Sequence, residues 1–201
     1  MKRISTFVLI LFLGLLFISS CGKNQGGKDV DVTDNTPVHI KYDITGKEPG
    51  TLDMHYKGKN ASMVVGMMKD GQTMNLNMFL KDKILYTIIE AEGKKMGMKS
   101  DVSKDESFKD FDAILNSKEK LKEMEKTGSE EVLGYKCDIY KSKTGDLVSV
   151  YKERVPLKMI SKEMTMTATL FEPDVKIADD AFDPPKDIEF MDLNNMQNLM
   201  K

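Results

Sequence analysis

The stretch Thr73-Met74-Asn75-Leu76-Asn77-Met78-Phe79-Leu80 puts Met74, Leu76, Met78 and Leu80 on one phase of a two-residue period, against Thr73, Asn75, Asn77 and Phe79. Side chains of a strand alternate between faces, so this run predicts a β-strand with one buried and one wetter side. The same period extends in both directions. Upstream, Val38, Ile40, Tyr42 and Ile44 alternate with His39, Lys41, Asp43 and Thr45. After the turn Gly46-Lys47-Glu48-Pro49-Gly50, Leu52, Met54 and Tyr56 alternate with Asp53, His55 and Lys57, and residues 63–68 continue the pattern to Lys69-Asp70-Gly71. Downstream, Lys81-Asp82-Lys83 leads into residues 84–89, and Glu92-Gly93-Lys94 turns the chain again before Met96 and Met98. Connections this short make antiparallel neighbours, so six strands in meander order are expected.

Residues 103–126 abandon that period. Ser103 or Asp105 can cap a helix whose apolar positions Phe108, Phe111, Ile114, Leu115, Leu121 and Met124 recur at three, four and seven. One amphipathic helix is expected, or two short ones broken near Asn116-Ser117. Strand signals return at residues 131–140, at 147–151 after Lys143-Thr144-Gly145-Asp146, and at 164–170, where Met164, Met166, Ala168 and Leu170 alternate with threonines. About nine strands and one helical insert make a mainly β, α+β single domain.

The first 21 residues carry an address. Lys2 and Arg3 precede an apolar stretch over residues 7–18, closed by Ile18-Ser19-Ser20-Cys21. Such a stretch is short of the roughly 20 residues a membrane-spanning helix needs, but it suits a signal peptide. The closing tetrapeptide resembles the lipobox of bacterial lipoproteins, which implies removal of residues 1–20 and acylation of Cys21 with palmitate-type chains. Two or more chains are needed for stable anchoring. Residues 21–36, rich in Gly and Asp after Cys21, read as a lipidated N-terminus and flexible tether, residues 37–190 as the folded domain, and 191–201 as a short C-terminal tail or helix. Gly22 in place of an aspartate retention signal places the expected location at the outer membrane, facing the periplasm.

Composition excludes several classes. The formal net charge is −2 and the only arginines are Arg3 and Arg154, so no guanidinium stripe grips nucleic acid. Two cysteines and two histidines, widely spaced, build neither a zinc cluster nor, once Cys21 is acylated, a disulfide. No nucleophile elbow, phosphate loop or zinc-protease spacing is present, and no cofactor or metal is expected. His39 and His55 fall on the polar phase and read as solvated surface histidines. Cys137 shares the apolar phase of Tyr135 and Ile139 and reads as a small buried hydrophobe. The chain is therefore expected not to be an enzyme. The 16 methionines lie mostly on strand faces beside Leu and Ile, which reads as interior more readily than as a copper site.

Gly134-Tyr135-Lys136-Cys137 followed by Tyr140, the pair Pro156-Leu157 after a strand, and the close Ile177-Ala178-Asp179-Asp180-Ala181-Phe182-Asp183-Pro184-Pro185 resemble the envelope-protein domain family DUF4412. That family is in turn similar in layout to lipoprotein carriers of the LolA and LolB type. The resemblance implies a half-open, strongly curved antiparallel sheet, a half-barrel with a helix packed on its concave face.

Two functions fit this reading. In one, the concave face binds an apolar molecule, a lipid or acyl chain, lined by Ile40, Tyr42, Met54, Tyr56, Met74, Leu76, Met78, Ile89, Met164 and Met166. Each is on the apolar phase of its strand. In the other, the same interior is filled by side chains and the chain is a structural or protein-interaction lipoprotein. The membrane, through the acyl chains, is a partner in both.

Overall fold

Short turns bring each alternating run back beside the one before it, and this sets the order of the sheet. The structure, a computed structural model, describes residues 28–69, 72–91, 93–103 and 117–193. The first meander is β1 (Val38–Gly46), β2 (Gly50–Lys57), β3 (Asn60–Lys69), β4 (Gln72–Lys81), β5 (Ile84–Ala91) and β6 (Lys94–Asp101). The second is β7 (Glu125–Val132), β8 (Tyr135–Lys141), β9 (Leu147–Tyr151), β10 (Val155–Ile160) and β11 (Met164–Pro173). Pairing of β1 with β11 joins the two meanders side by side, and β12 (Phe190–Asp192) adds to β6 in a parallel pair. The result among the described residues is a single 12-stranded sheet, curved and open, in the order β12-β6-β5-β4-β3-β2-β1-β11-β10-β9-β8-β7.

The six strands of the first meander match the sequence expectation. The second holds more strands than expected. Leu133 and Gly134 both have positive φ, 54° and 82°, a two-residue turn whose twist suits a hairpin, and it splits the run 131–140 into β7 and β8. Lys152 and Glu153, with φ of 49° and 56°, make a second such turn between β9 and β10.

The larger core lies on one face of the sheet and a smaller cluster of Leu121, Tyr140 and Val150 on the other. The inner face carries the main core: Val38, Ile40 and Tyr42 of β1, Leu52 and Met54 of β2, Met63 of β3, Tyr135 and Cys137 of β8, Tyr151 of β9, Val155 and Leu157 of β10, and Met166, Ala168 and Phe171 of β11. The Tyr42 hydroxyl, wholly buried, donates to the Pro156 carbonyl at 2.6 Å, beside the register shift of β10 between Pro156 and Lys158. A buried hydroxyl left without that acceptor would cost about 1–3 kcal/mol. Tyr135, Tyr151 and Phe171 pack edge to face, with ring centroids 4.9–5.8 Å apart.

Two expectations change. The helix over 103–126 does not run its length: β7 begins at Glu125, and the described helix is α1 (Ser117–Leu121), while 104–116 lie outside the described residues. Nor does α1 meet the concave face. Leu121 packs with Tyr140 and Val150, and Tyr140 alternates with the inward Cys137 and Tyr135, so α1 covers the opposite, outer face. Residues 28–36 are the second change. Val32 is 4% exposed within the inner core, the Val30 amide donates to the Tyr151 hydroxyl at 2.7 Å, and that hydroxyl donates to the Val30 carbonyl at 2.8 Å. The Lys28 amide donates to Gly134 O at 2.8 Å, Lys152 pairs with Asp29, and Arg154 pairs with Asp34. This part of the expected tether is a strap bound to the sheet.

Candidate functional site

Antiparallel cross-strand partners share a face, so register decides where the ten expected lining residues lie. Ile40 faces Met54, Met54 faces Met63 and Met63 faces Met78; Tyr42, Leu52, Val65, Leu76 and Ile89 form the next row. Tyr56 faces Val38, Met74 faces Met67, Met166 faces Ile44 and Met164 faces Gly46. All ten occupy the inner face, yet they do not make one site. Ile40, Tyr42, Met54 and Met166 are buried in the core, and Tyr56 and Met78 pack against it. Met74, Leu76 and Ile89 are half-buried on β4 and β5, and Met164 is 43% exposed.

The inner face thus has a closed half under the strap and a more open part at the Met74 end of β4–β6, where Met98 is half-buried and Met96 is 52% exposed, while the other end of those strands is closed by Ala61, Leu80 and Leu85. Ile44, Met67 and Met164 floor a groove of about 510 Å³ at one end of the inner face, and Lys47, Glu48, Asp146, Lys162 and Glu163 are among the residues around it. Ile44 and Met67 were absent from the expected lining, although both continue the alternation of their strands.

A polar group borders the closed half. Ser149 donates to Glu130 Oε1, and Lys158 Nζ to Glu130 Oε2 at 2.9 Å. Glu130 pairs with Cys137 across β7 and β8, so it shares the inner face. Burial raises its carboxyl, but the hydrogen bonds from Ser149 and Lys158 outweigh that and hold it below the ordinary glutamate value. Cys137 is fully buried, and burial first, then the Glu130 charge, pushes its thiol up to about 11. Such a thiol is a poor nucleophile, as its apolar phase implied.

His39 and His55 depart from the solvated reading. They pair directly on the outer face of β1 and β2, stacked at 4.0 Å with 7° between the rings, and the His39 side chain is only 14% exposed. With Asp53 they form a group whose ligand atoms lie within 4.8 Å of one another, so these three residues can hold a metal. Cys21 lies outside the described residues.

No protein-family model matches the chain, and no curated protein matches it. Among solved structures, an uncharacterized conserved protein from Thermus thermophilus is similar over 79% of this chain and 91% of that one, at 9% identity and a TM-score of 0.51. PNGF-II is similar over 82% of this chain and 32% of its own, at 10% identity and a TM-score of 0.41. The MucA/MucB complex of Pseudomonas aeruginosa is similar over 76% of this chain and 57% of its matched chain, at 12% identity and a TM-score of 0.42. The Thermus protein shares the fold, one curved open sheet.

Proposed function

We propose that this chain is a lipid-anchored protein of the bacterial envelope, at the outer membrane facing the periplasm, that binds an apolar ligand such as an acyl chain in the groove at one end of its inner face. The observation that carries this reading is the groove of about 510 Å³ floored by Ile44, Met67 and Met164. Its size lies within the roughly 300–1,000 Å³ of small-molecule sites, and its three apolar residues are edged by charged ones. Methionine is flexible and polarisable, so a floor built from it adapts to an irregular apolar occupant. The reading gives Cys137 no catalytic role, since its thiol is buried in the closed core.

Anchoring fits the strap. Lys28 is seven residues from Cys21, and a fully extended chain spans at most about 25 Å over seven residues, so the end of the sheet with the β7–β8 and β9–β10 turns, where Lys28 and Asp29 are held, would stand close to the bilayer. The second reading, a structural or interaction lipoprotein with a filled interior, is favoured by the closed half of the inner face, where Ile40, Tyr42, Met54 and Leu157 are each no more than 1% exposed.

Binding separates the two. A chain of residues 22–201, prepared without detergent, is expected to copurify with lipid in native mass spectrometry and to bind a fluorescent fatty acid saturably. Met67→Asp in the floor of the groove is expected to weaken that binding at least tenfold. A chain free of lipid and showing no saturable binding would leave the filled-interior reading standing.

A further inference from the structure

The outer face of β2, β1 and β11 carries the other concentration of chemistry. We infer that His39, His55 and Asp53 form a binding site for a borderline divalent transition-metal ion of the zinc class, with Glu172 as the carboxylate that orients His39. The two imidazoles and the carboxylate come from neighbouring positions of one hairpin: His39 faces His55, and Asp53 is two residues before His55 on the same face. Their ligand atoms lie within 4.8 Å of one another. A tetrahedral zinc with ligands at about 2.0–2.2 Å sets ligand atoms about 3.4 Å apart, so a set spread over no more than 4.8 Å has to draw together on binding.

A second observation points to the same ion. His39 Nδ1 lies 2.9 Å from Glu172 Oε2, while its Nε2 lies 2.9 Å from Asp53 Oδ1. Metal-bound histidines commonly donate the far ring N–H to a carboxylate, which fixes the tautomer and makes the near nitrogen a better ligand. Glu172 stands where that carboxylate belongs, on the strand that flanks β1 opposite β2. A metal takes a lone pair at Nε2, so any proton held there is released to solvent on binding.

His55 is ready as the second imidazole. It pairs directly with His39 across the hairpin, its ring stacked on that of His39 at 4.0 Å, so both imidazoles stand on the same patch of the outer face. Lys41 opposes the ion: its Nζ is 2.8 Å from Asp53 Oδ2, leaving Oδ1 as the ligand oxygen but adding a positive charge nearby. Two imidazoles, one carboxylate and a position open to water suit zinc better than magnesium or calcium, which prefer all-oxygen shells.

The test is isothermal titration of Zn²⁺ into the untagged full chain in detergent micelles, with zinc-edge X-ray absorption on the loaded protein. One ion per chain is expected, with a micromolar or tighter Kd and a shell of two imidazoles and oxygens without sulfur. His39 and His55 are the only histidines, so two imidazoles identify the site. His55→Asn and Asp53→Asn should each weaken binding at least tenfold, and Glu172→Gln by 10- to 100-fold. Lys41→Gln should tighten it, a gain that misfolding could not produce. Absence of stoichiometric binding at 100-fold excess over micromolar, a sulfur-containing shell, or affinity unmoved by His55→Asn and Lys41→Gln overturns the site.

Discussion

Truncating one methionine and one leucine on the same sheet face measures how much of that face is filled. Met54 is 1% exposed and packed within the main core, so Met54→Ala removes a thioether arm and leaves a cavity the surrounding β-sheet cannot collapse. Buried Leu, Ile or Met to Ala costs about 2–5 kcal/mol, and about 3 is expected here. Leu76, one row along the same face but half-buried on β4, has solvent on one side and fewer packed atoms to lose, so Leu76→Ala should cost about 1 kcal/mol. At roughly 2–4 °C per kcal/mol for a domain of this size, the melting temperature should fall by about 6–12 °C for Met54→Ala and about 2–4 °C for Leu76→Ala. Thermal unfolding followed by circular dichroism, checked against urea midpoints, reads both. Equal costs at the two positions would mean that the inner face is filled throughout, and the division into closed and open halves would be wrong. Ala168→Leu belongs with this pair as a control. Ala168 faces Tyr42 across β1 and β11 and is 3% exposed, so it reports on the closed half alone. Overpacking there should cost about 1–3 kcal/mol whether or not a ligand binds elsewhere.

Two further outcomes follow from titrating groups. Because hydrogen bonds from Ser149 and Lys158 hold the folded-state pKa of Glu130 below its unfolded value, its stabilisation is complete above the unfolded value and is lost as pH falls through the folded one. Melting temperature should therefore drop between about pH 5 and 3, and less steeply in Glu130→Gln, as scanning calorimetry across that range would record; identical slopes would contradict the assignment. Cys137, with its thiol near 11 and no exposed surface, should resist iodoacetamide at pH 8 in the folded chain and react fully in urea, which peptide mapping distinguishes from Cys21.

The first meander could be read from sequence because each strand has a polar phase opposed to an apolar one, and each turn is too short to allow anything but antiparallel return. The second resisted for local reasons. Leu133 occupies a left-handed turn position with φ of 54°, a place where Asn or Gly would have marked a hairpin. In β10, Val155, Pro156 and Leu157 are all buried in succession around a register shift, so no alternation exists to find; Pro156 lacks an amide hydrogen and is tolerated beside that shift. The strap is different, since Asp29-Val30-Asp31-Val32 does alternate. Its four residues are too few to outweigh the glycines before them, and what holds it, the Tyr151 hydroxyl and Arg154, comes from the far end of the chain.

The histidine group sharpens the distinction between face and register. Period alone puts His39, Asp53 and His55 on polar phases, which is also where solvated residues go, so the face carries no information about a site. Register does. The β1–β2 hairpin is centred on Lys47, since Ile44 faces Gly50, and residues equally distant from that centre must face each other. Eight residues before it is His39, eight after it is His55, and six to either side are Lys41 and Asp53. The observed centre lies one residue before the middle of the turn Gly46-Lys47-Glu48-Pro49-Gly50, and centring on Glu48 instead would set His39 against Lys57, so a single residue of register decides whether the two imidazoles stack. Glu172 is beyond such reasoning, because it reaches His39 only through the pairing of the first strand with the eleventh, 133 residues away. The hairpin supplies ligands through local geometry, while the residue that orients them depends on closure of the whole sheet, so any change that loosens β11 should weaken metal binding without touching a ligand.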